Sequence, residues 1–140
     1  LEDITKEKGG IPFPNKVSFI SQNWKKYPAL IQDSTLVTKI IDIEKTINGR
    51  AYYYIPKEKV LPFAGQIKTG DIILITTKKK GLDTAHVGIA IENEGQIYLL
   101  HASVSDKKVS ITTETLPDYL QRITSHSGIM IGRLINFKSN

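Results

Sequence analysis

The sequence predicts an α+β fold in which a central antiparallel sheet, or a half-barrel, is flanked by helices. Three observations carry this. β-rich runs succeed one another from residue 72 to residue 112, separated by turn-like clusters such as Glu92-Asn93-Glu94-Gly95. A helical pattern precedes them and a shorter one follows. Strands joined by tight turns, with helices at the ends, favour antiparallel neighbours over parallel crossovers.

The elements are justified in order. Residues 1–34 read as irregular, because Gly9-Gly10, Pro12, Pro14 and Pro28 interrupt any long element. Val17, Phe19, Ile20, Trp24 and Tyr27 can still anchor this stretch to a core. Ser34 is a plausible N-cap for a helix from Thr35 to Asn48. Leu36, Val37, Ile40, Ile41, Ile43 and Ile47 give it a broad apolar face, and Asn48-Gly49 stops it. Ala51–Ile55 reads as a strand ended by Pro56, with Tyr52, Tyr53 and Tyr54 as packing residues. Ile72–Thr77 is a strand entered through Lys68-Thr69-Gly70-Asp71, where Asp71 is expected to close an Asx-type turn. Strands at Val87–Ile91, Gln96–Ala102 and Val109–Thr112 follow. Thr115-Leu116-Pro117-Asp118 resembles a capping box with Asp in the usual Glu place. It opens a short helix with Leu116, Tyr119, Leu120 and Ile123 inward. Gly128–Ile135 is the final strand.

Length and charge bound the function. The 140 residues suit a single domain, 1–140, with a core that needs neither disulfide nor metal. No run approaches the roughly 20 apolar residues of a membrane span. A net charge of +5, from 19 basic and 14 acidic residues, favours an anionic partner only weakly. Lys78-Lys79-Lys80 reads as a solvated hairpin tip. Aromatic and basic residues do not interleave, which argues against a nucleic-acid partner. The chain has no cysteine, which fits either redox compartment. Its start, Leu1-Glu2-Asp3, reads as a mature form or as a fragment of something longer.

Two of the three histidines, His86 and His101, each sit at the edge of an apolar run. A hairpin centred near Asn93-Glu94 sets His86 opposite His101, on one face, with Cβ atoms about 4.5–5.5 Å apart. Such a pair near pH 7 is suited to moving protons. His86, Gly88 and Ala90 share that face, and Val87, Ile89 and Ile91 form ordinary core on the other. Gly88 and Ala90 are small, so a helix is expected to lie tightly over them. A nucleophile at such a helix's N-terminus would be activated by the helix end and by the imidazole. None is visible in the chain. His126 reads as an exposed loop residue, and Ser103 as either a cleft or a strand-end residue.

Gly-Asp-Ile-Ile at 70–73, Gly-Leu-Asp-x-x-His-Val-Gly-Ile-Ala at 81–90 and Leu-Leu-His-Ala-Ser at 99–103 resemble the NlpC-type cell-wall cysteine hydrolases. Within them the chain is most similar to the N-acetylmuramoyl-L-alanine amidase-like branch. Thr5-Lys6-Glu7-Lys8-Gly9-Gly10, Val17-Ser18-Phe19-Ile20-Ser21, Tyr27-Pro28-Ala29-Leu30, Glu44-x-x-Ile47-Asn48 and Tyr54-Ile55-Pro56-Lys57 extend the similarity along most of the chain. The resemblance implies a papain-like fold and a Cys–His–polar triad. His86 takes the place of the base and His101 that of the residue orienting it. Ser103 is a candidate substrate contact, and Asp83 either contacts substrate or closes the turn before His86. The nucleophilic cysteine would come from sequence upstream, so this chain would be the C-terminal part of a longer domain, inactive alone. The implied substrate is peptidoglycan or a muropeptide, handled outside the bacterial cytoplasm, in the periplasm or secreted. The resemblance implies no cofactor. Two other readings stay open: a cell-wall-binding module without catalysis, and a zinc hydrolase using Asp83, His86 and His101.

Overall fold

The computed structural model describes residues 1–14 and 16–135. Among the described residues the strands are β1 (Glu2–Asp3), β2 (Ile11–Pro12), β3 (Tyr53–Pro56), β4 (Ile72–Thr77), β5 (Thr84–Asn93), β6 (Gln96–Ser103), β7 (Lys108–Ile111) and β8 (His126–Arg133). They form one sheet, in the order β2-β3-β8-β4-β5-β6-β7, with β1 on the same edge of β8 as β3. Every pairing is antiparallel. The helices are α1 (Phe19–Gln22), α2 (Pro28–Gln32), α3 (Thr35–Asn48), α4 (Val60–Phe63) and α5 (Leu116–Arg122). The α+β class with an antiparallel sheet and flanking helices is as the sequence predicts.

The core lies on one face of the sheet. Ile73 faces Gly88 and Ile131 across the ladder, and Ile75 faces His86 and Ile129. These isoleucines join Leu99, Val60, Ile67, Leu116 and Leu120 in a single buried cluster. Each such side chain contributes about 1.5–3 kcal/mol on leaving water. α5 forms as the capping signal requires. The Thr115 hydroxyl accepts the Asp118 amide at 3.4 Å and donates to its carboxylate at 2.7 Å.

Two expectations for the first half of the chain are corrected. Residues 1–34 are not irregular throughout, because Pro28 occupies the first turn of α2, where proline starts a helix and does not break one. α3 spans the predicted residues, yet Ile41 and Ile43 are exposed and Glu44 is its buried residue. The helix packs on α1 and α2. Its polar residues hold the preceding segment. Glu44 accepts the Ser21 amide at 3.1 Å, and the Asn48 side chain bonds the Val17 amide and carbonyl, each at 2.8 Å.

The ends of β4 and β8 are tied by Asp71 and Arg133. Two guanidinium nitrogens donate to the two carboxylate oxygens, each at 2.7 Å. The carboxylate also accepts the Lys68 amide at 2.8 Å, closing the turn before β4. Burial alone would raise the Asp71 pKa, but the Arg133 and Lys68 contacts outweigh it and hold the carboxyl below its usual range.

One irregularity positions the site. Along β4, pairing with β5 jumps from Ile75–His86 to Thr76–Thr84, leaving Ala85 as an extra residue. One step on, pairing with β8 jumps from Thr76–Gly128 to Thr77–His126, leaving Ser127 extra. These are β-bulges, which re-aim the side chains beyond them.

Candidate active site

The hairpin of β5 and β6 turns at Glu94-Gly95, where φ is +52° and +76°. Two successive left-handed residues make the primed turn that fits strand twist. The turn sits one residue later than the expected centre. His101 is therefore not opposite His86: Ile89 pairs with Leu100, and the histidines are diagonal neighbours. A two-residue change in pairing keeps the face unchanged, so the rings still meet. His86 Nε2 lies 2.7 Å from His101 Nδ1, with the ring planes at 88°.

The small residues beside His86 serve a different purpose from the one expected. Ala90 is 0% exposed and Gly88 is buried, so this face of β5 is core. A Cβ on Gly88 would lie 2.5 Å from Leu99 Cγ and 2.9 Å from the Leu100 carbonyl. The close neighbour is thus β6, not a helix. The opposite face, expected as core, leaves Val87 51% and Ile89 42% exposed.

His126 corrects a further expectation. It is not an exposed loop residue: it opens β8, is 5% exposed, and its Nδ1 has no hydrogen-bond partner among the described residues. The Ser127 bulge turns it to the core side. Tyr119 of α5 lies between it and the pair, with ring centroids 5.6 Å from both His101 and His126.

These rings line one open cleft of about 890 Å³, together with Ser103, Lys108, Glu114 and Arg122. Burial lowers the His86 pKa, and His101 lowers it further. Burial, then the nearby His86, Lys57 and Arg122, bring His126 down to about 4. Burial raises that of Tyr119. Arg122 is held by Glu114 in a forked ion pair, with contacts of 2.6 and 2.8 Å.

Of the four residues singled out from sequence, the structure brings together His86, His101 and Ser103. The Ser103 hydroxyl also accepts the Asp106 amide at 3.2 Å. Asp83 lies elsewhere. It accepts the Thr84 amide at 2.6 Å and lines a separate cavity with Phe13 and Arg50. A zinc set of Asp83, His86 and His101 is therefore not assembled, and among the described residues no three His, Asp or Glu side chains converge as ligands. What the cleft offers is the His86 imidazole in contact with a second one, at the edge of a packed core. That is a group able to take up a proton and return it.

An α+β fold bearing this histidine pair defines the class, and the family follows from comparison. The chain belongs to the AmiA-like, N-acetylmuramoyl-L-alanine amidase-like family, which it matches over residues 1–129. An N-acetylmuramoyl-L-alanine amidase from Bacteroides uniformis ATCC 8492 is 34% identical, with a TM-score of 0.84, and 93% of this chain covers 55% of that one. A Bacteroides fragilis protein, described provisionally as a xylanase, is 35% identical with a TM-score of 0.84, and 93% of this chain covers 57% of it. The chain thus spans just over half the length of these solved structures. No curated protein sequence matches it. Among the described residues no helix is long and apolar enough to cross a membrane.

Proposed function

We propose that this chain supplies the base of a cysteine-type amidase or peptidase that cuts peptidoglycan stem peptides outside the cytoplasm. The reading includes the papain-like, NlpC-type architecture, with the thiol contributed by sequence beyond these 140 residues, which contain no cysteine. The observation that carries it is the 2.7 Å contact between His86 Nε2 and His101 Nδ1. For His86 to act as a base, Nε2–H donates to His101 Nδ1, and His86 keeps its Nδ1 lone pair. His86 takes the thiol proton, the thiolate attacks the amide carbonyl carbon, and the imidazolium returns the proton to the leaving amine. Burial, and then His101, lower the His86 pKa, which favours the neutral, proton-accepting form. A xylanase reading is less well supported. Most glycosidases use two facing carboxylates; of the two that line this cleft, Glu114 is taken up by Arg122 and Asp106 accepts from the Ser105 and Ser110 hydroxyls.

The test is release of peptide from a muramyl peptide by the longer protein that carries this chain. Thiol alkylation is expected to stop it. His86→Ala is expected to lower the rate by about 10²–10⁴-fold, and His101→Ala by less, because the base remains. The 140-residue chain alone is expected to be inactive. Inhibition by chelators but not alkylators, or full turnover in His86→Ala, would overturn the reading. Binding of the muramyl peptide without hydrolysis by the longer protein would leave a cell-wall-binding module.

A further inference from the structure

His101 can hold His86 only in one orientation. A half-turn of its ring about the Cβ–Cγ bond replaces Nδ1 by a carbon, and the contact with His86 is lost. His101 stands only two residues from the end of β6 and its ring is half-buried, so the sheet does not by itself fix that angle. Tyr119 meets the His101 ring edge to face, at 5.6 Å between centroids and 77° between planes. Tyr119 is itself immobilised, since it is buried on α5 between the core residues Leu116 and Leu120. Behind it, His126 stacks at 37° and closes the array from β8.

We propose that Tyr119 is a positioning residue that holds the His101 ring with Nδ1 toward His86, and that His126 is a neutral wall behind it. The unpartnered, buried Nδ1 of His126 fits this role. A buried imidazole nitrogen without a partner is unusual, and here the ring serves by its shape. The inference rests on the reading of His86 as a base oriented by His101. Its test, however, reads ring protons and not hydrolysis, so either can fail alone.

The chain has three histidines, so a ¹⁵N-labelled sample gives a countable set of long-range ¹⁵N–¹H ring correlations. In the wild type, His86 and His101 are each expected to carry the proton on Nε2, as single tautomers. Tyr119→Phe keeps the ring and is expected to keep this pattern. Tyr119→Met fills the volume without a ring, and is expected to mix the His101 tautomers and release the His86 bond. His126→Phe is expected to preserve the pattern. An unchanged His101 signature in folded Tyr119→Met overturns the positioning role, and loss of the pattern in His126→Phe overturns the wall. Absence of nuclear Overhauser contacts between Tyr119 and His101 ring protons in the wild type overturns the proposal whether or not the variants fold.

Discussion

Replacing Asp71 by Asn tests how the sheet that carries the histidines is held. The substitution keeps the shape but turns one oxygen that faces Arg133 into an NH₂ group. Two donors then meet at that position, so the guanidinium loses one of its two contacts of 2.7 Å and keeps the other to a neutral amide oxygen. Breaking a buried ion pair from one side costs about 3–5 kcal/mol. Here Arg133 keeps the Gln66 carbonyl at 3.2 Å and its side chain is 23% exposed, so water relieves part of the loss. The expected cost is therefore about 2–3 kcal/mol at pH 7, near the value for lost hydrogen bonds to charged groups. That corresponds to roughly 5–10 °C in Tm for a domain of this size. The pH dependence has a definite sign. The folded carboxyl titrates below its usual range. The wild type therefore holds this stability above about pH 3.9, where an unfolded Asp titrates, and loses it as pH falls through the lower folded value. Urea denaturation of both proteins at pH 7 and pH 2.5 measures it. A difference below about 0.5 kcal/mol at pH 7, the level of an ordinary surface substitution, would refute the reasoning. So would a difference that did not narrow at pH 2.5.

Two further outcomes concern the cleft itself. Gly88→Ala would set a methyl group 2.5 Å from Leu99 Cγ. It should cost about 1–3 kcal/mol in thermal or urea denaturation, the range for overpacking, and should disturb the His86–His101 contact in the same ring-nitrogen spectra. His126 should titrate with a midpoint of about 4 by NMR. An unfolded histidine titrates near 6.5, so the stability this burial lends is complete above that pH and declines as pH falls toward the folded value. His126→Phe should flatten the decline, and a midpoint near 6.5 in the wild type would contradict the buried placement.

The histidine pair was legible because face membership depends only on parity. An error of one residue in the turn centre moved the partner by two and left both rings on the same side. The turn itself could have been placed from Gly95, since a two-residue primed turn wants glycine at its second position. Val87 and Ile89 were misread because alternation identifies two faces but not which one is covered; the glycine at 88, filled by Leu99, was the sign of the core side. Residues 57–67 carried no strong periodicity, yet Val60 and Ile67 are core. Val60 opens a four-residue helix between short 3₁₀ turns and Ile67 follows the second of them, and these elements are too brief to show a repeat. His126 was missed for a definite reason. Counting by twos from Ile131 and Ile129 brings Ser127 inward, and the local sequence gives no sign of the extra residue that reverses this.

The paired bulges beside Thr76 make the cleft sensitive to chain length rather than to side-chain identity. Ala85 on β5 and Ser127 on β8 are each a residue with no counterpart on β4. Exchanging either for another small residue leaves the count intact. Removing Ser127 restores strict alternation, so that His126 swings to the outer face and Tyr119 loses its backing ring. Removing Ala85 shortens the run between Asp83 and His86 and draws the Gly81–Asp83 turn, which holds the Ser18 and Phe19 amides through Gly81, toward the cleft. Among descendants of this sequence, substitutions at these two sites should therefore be common and single-residue gaps rare.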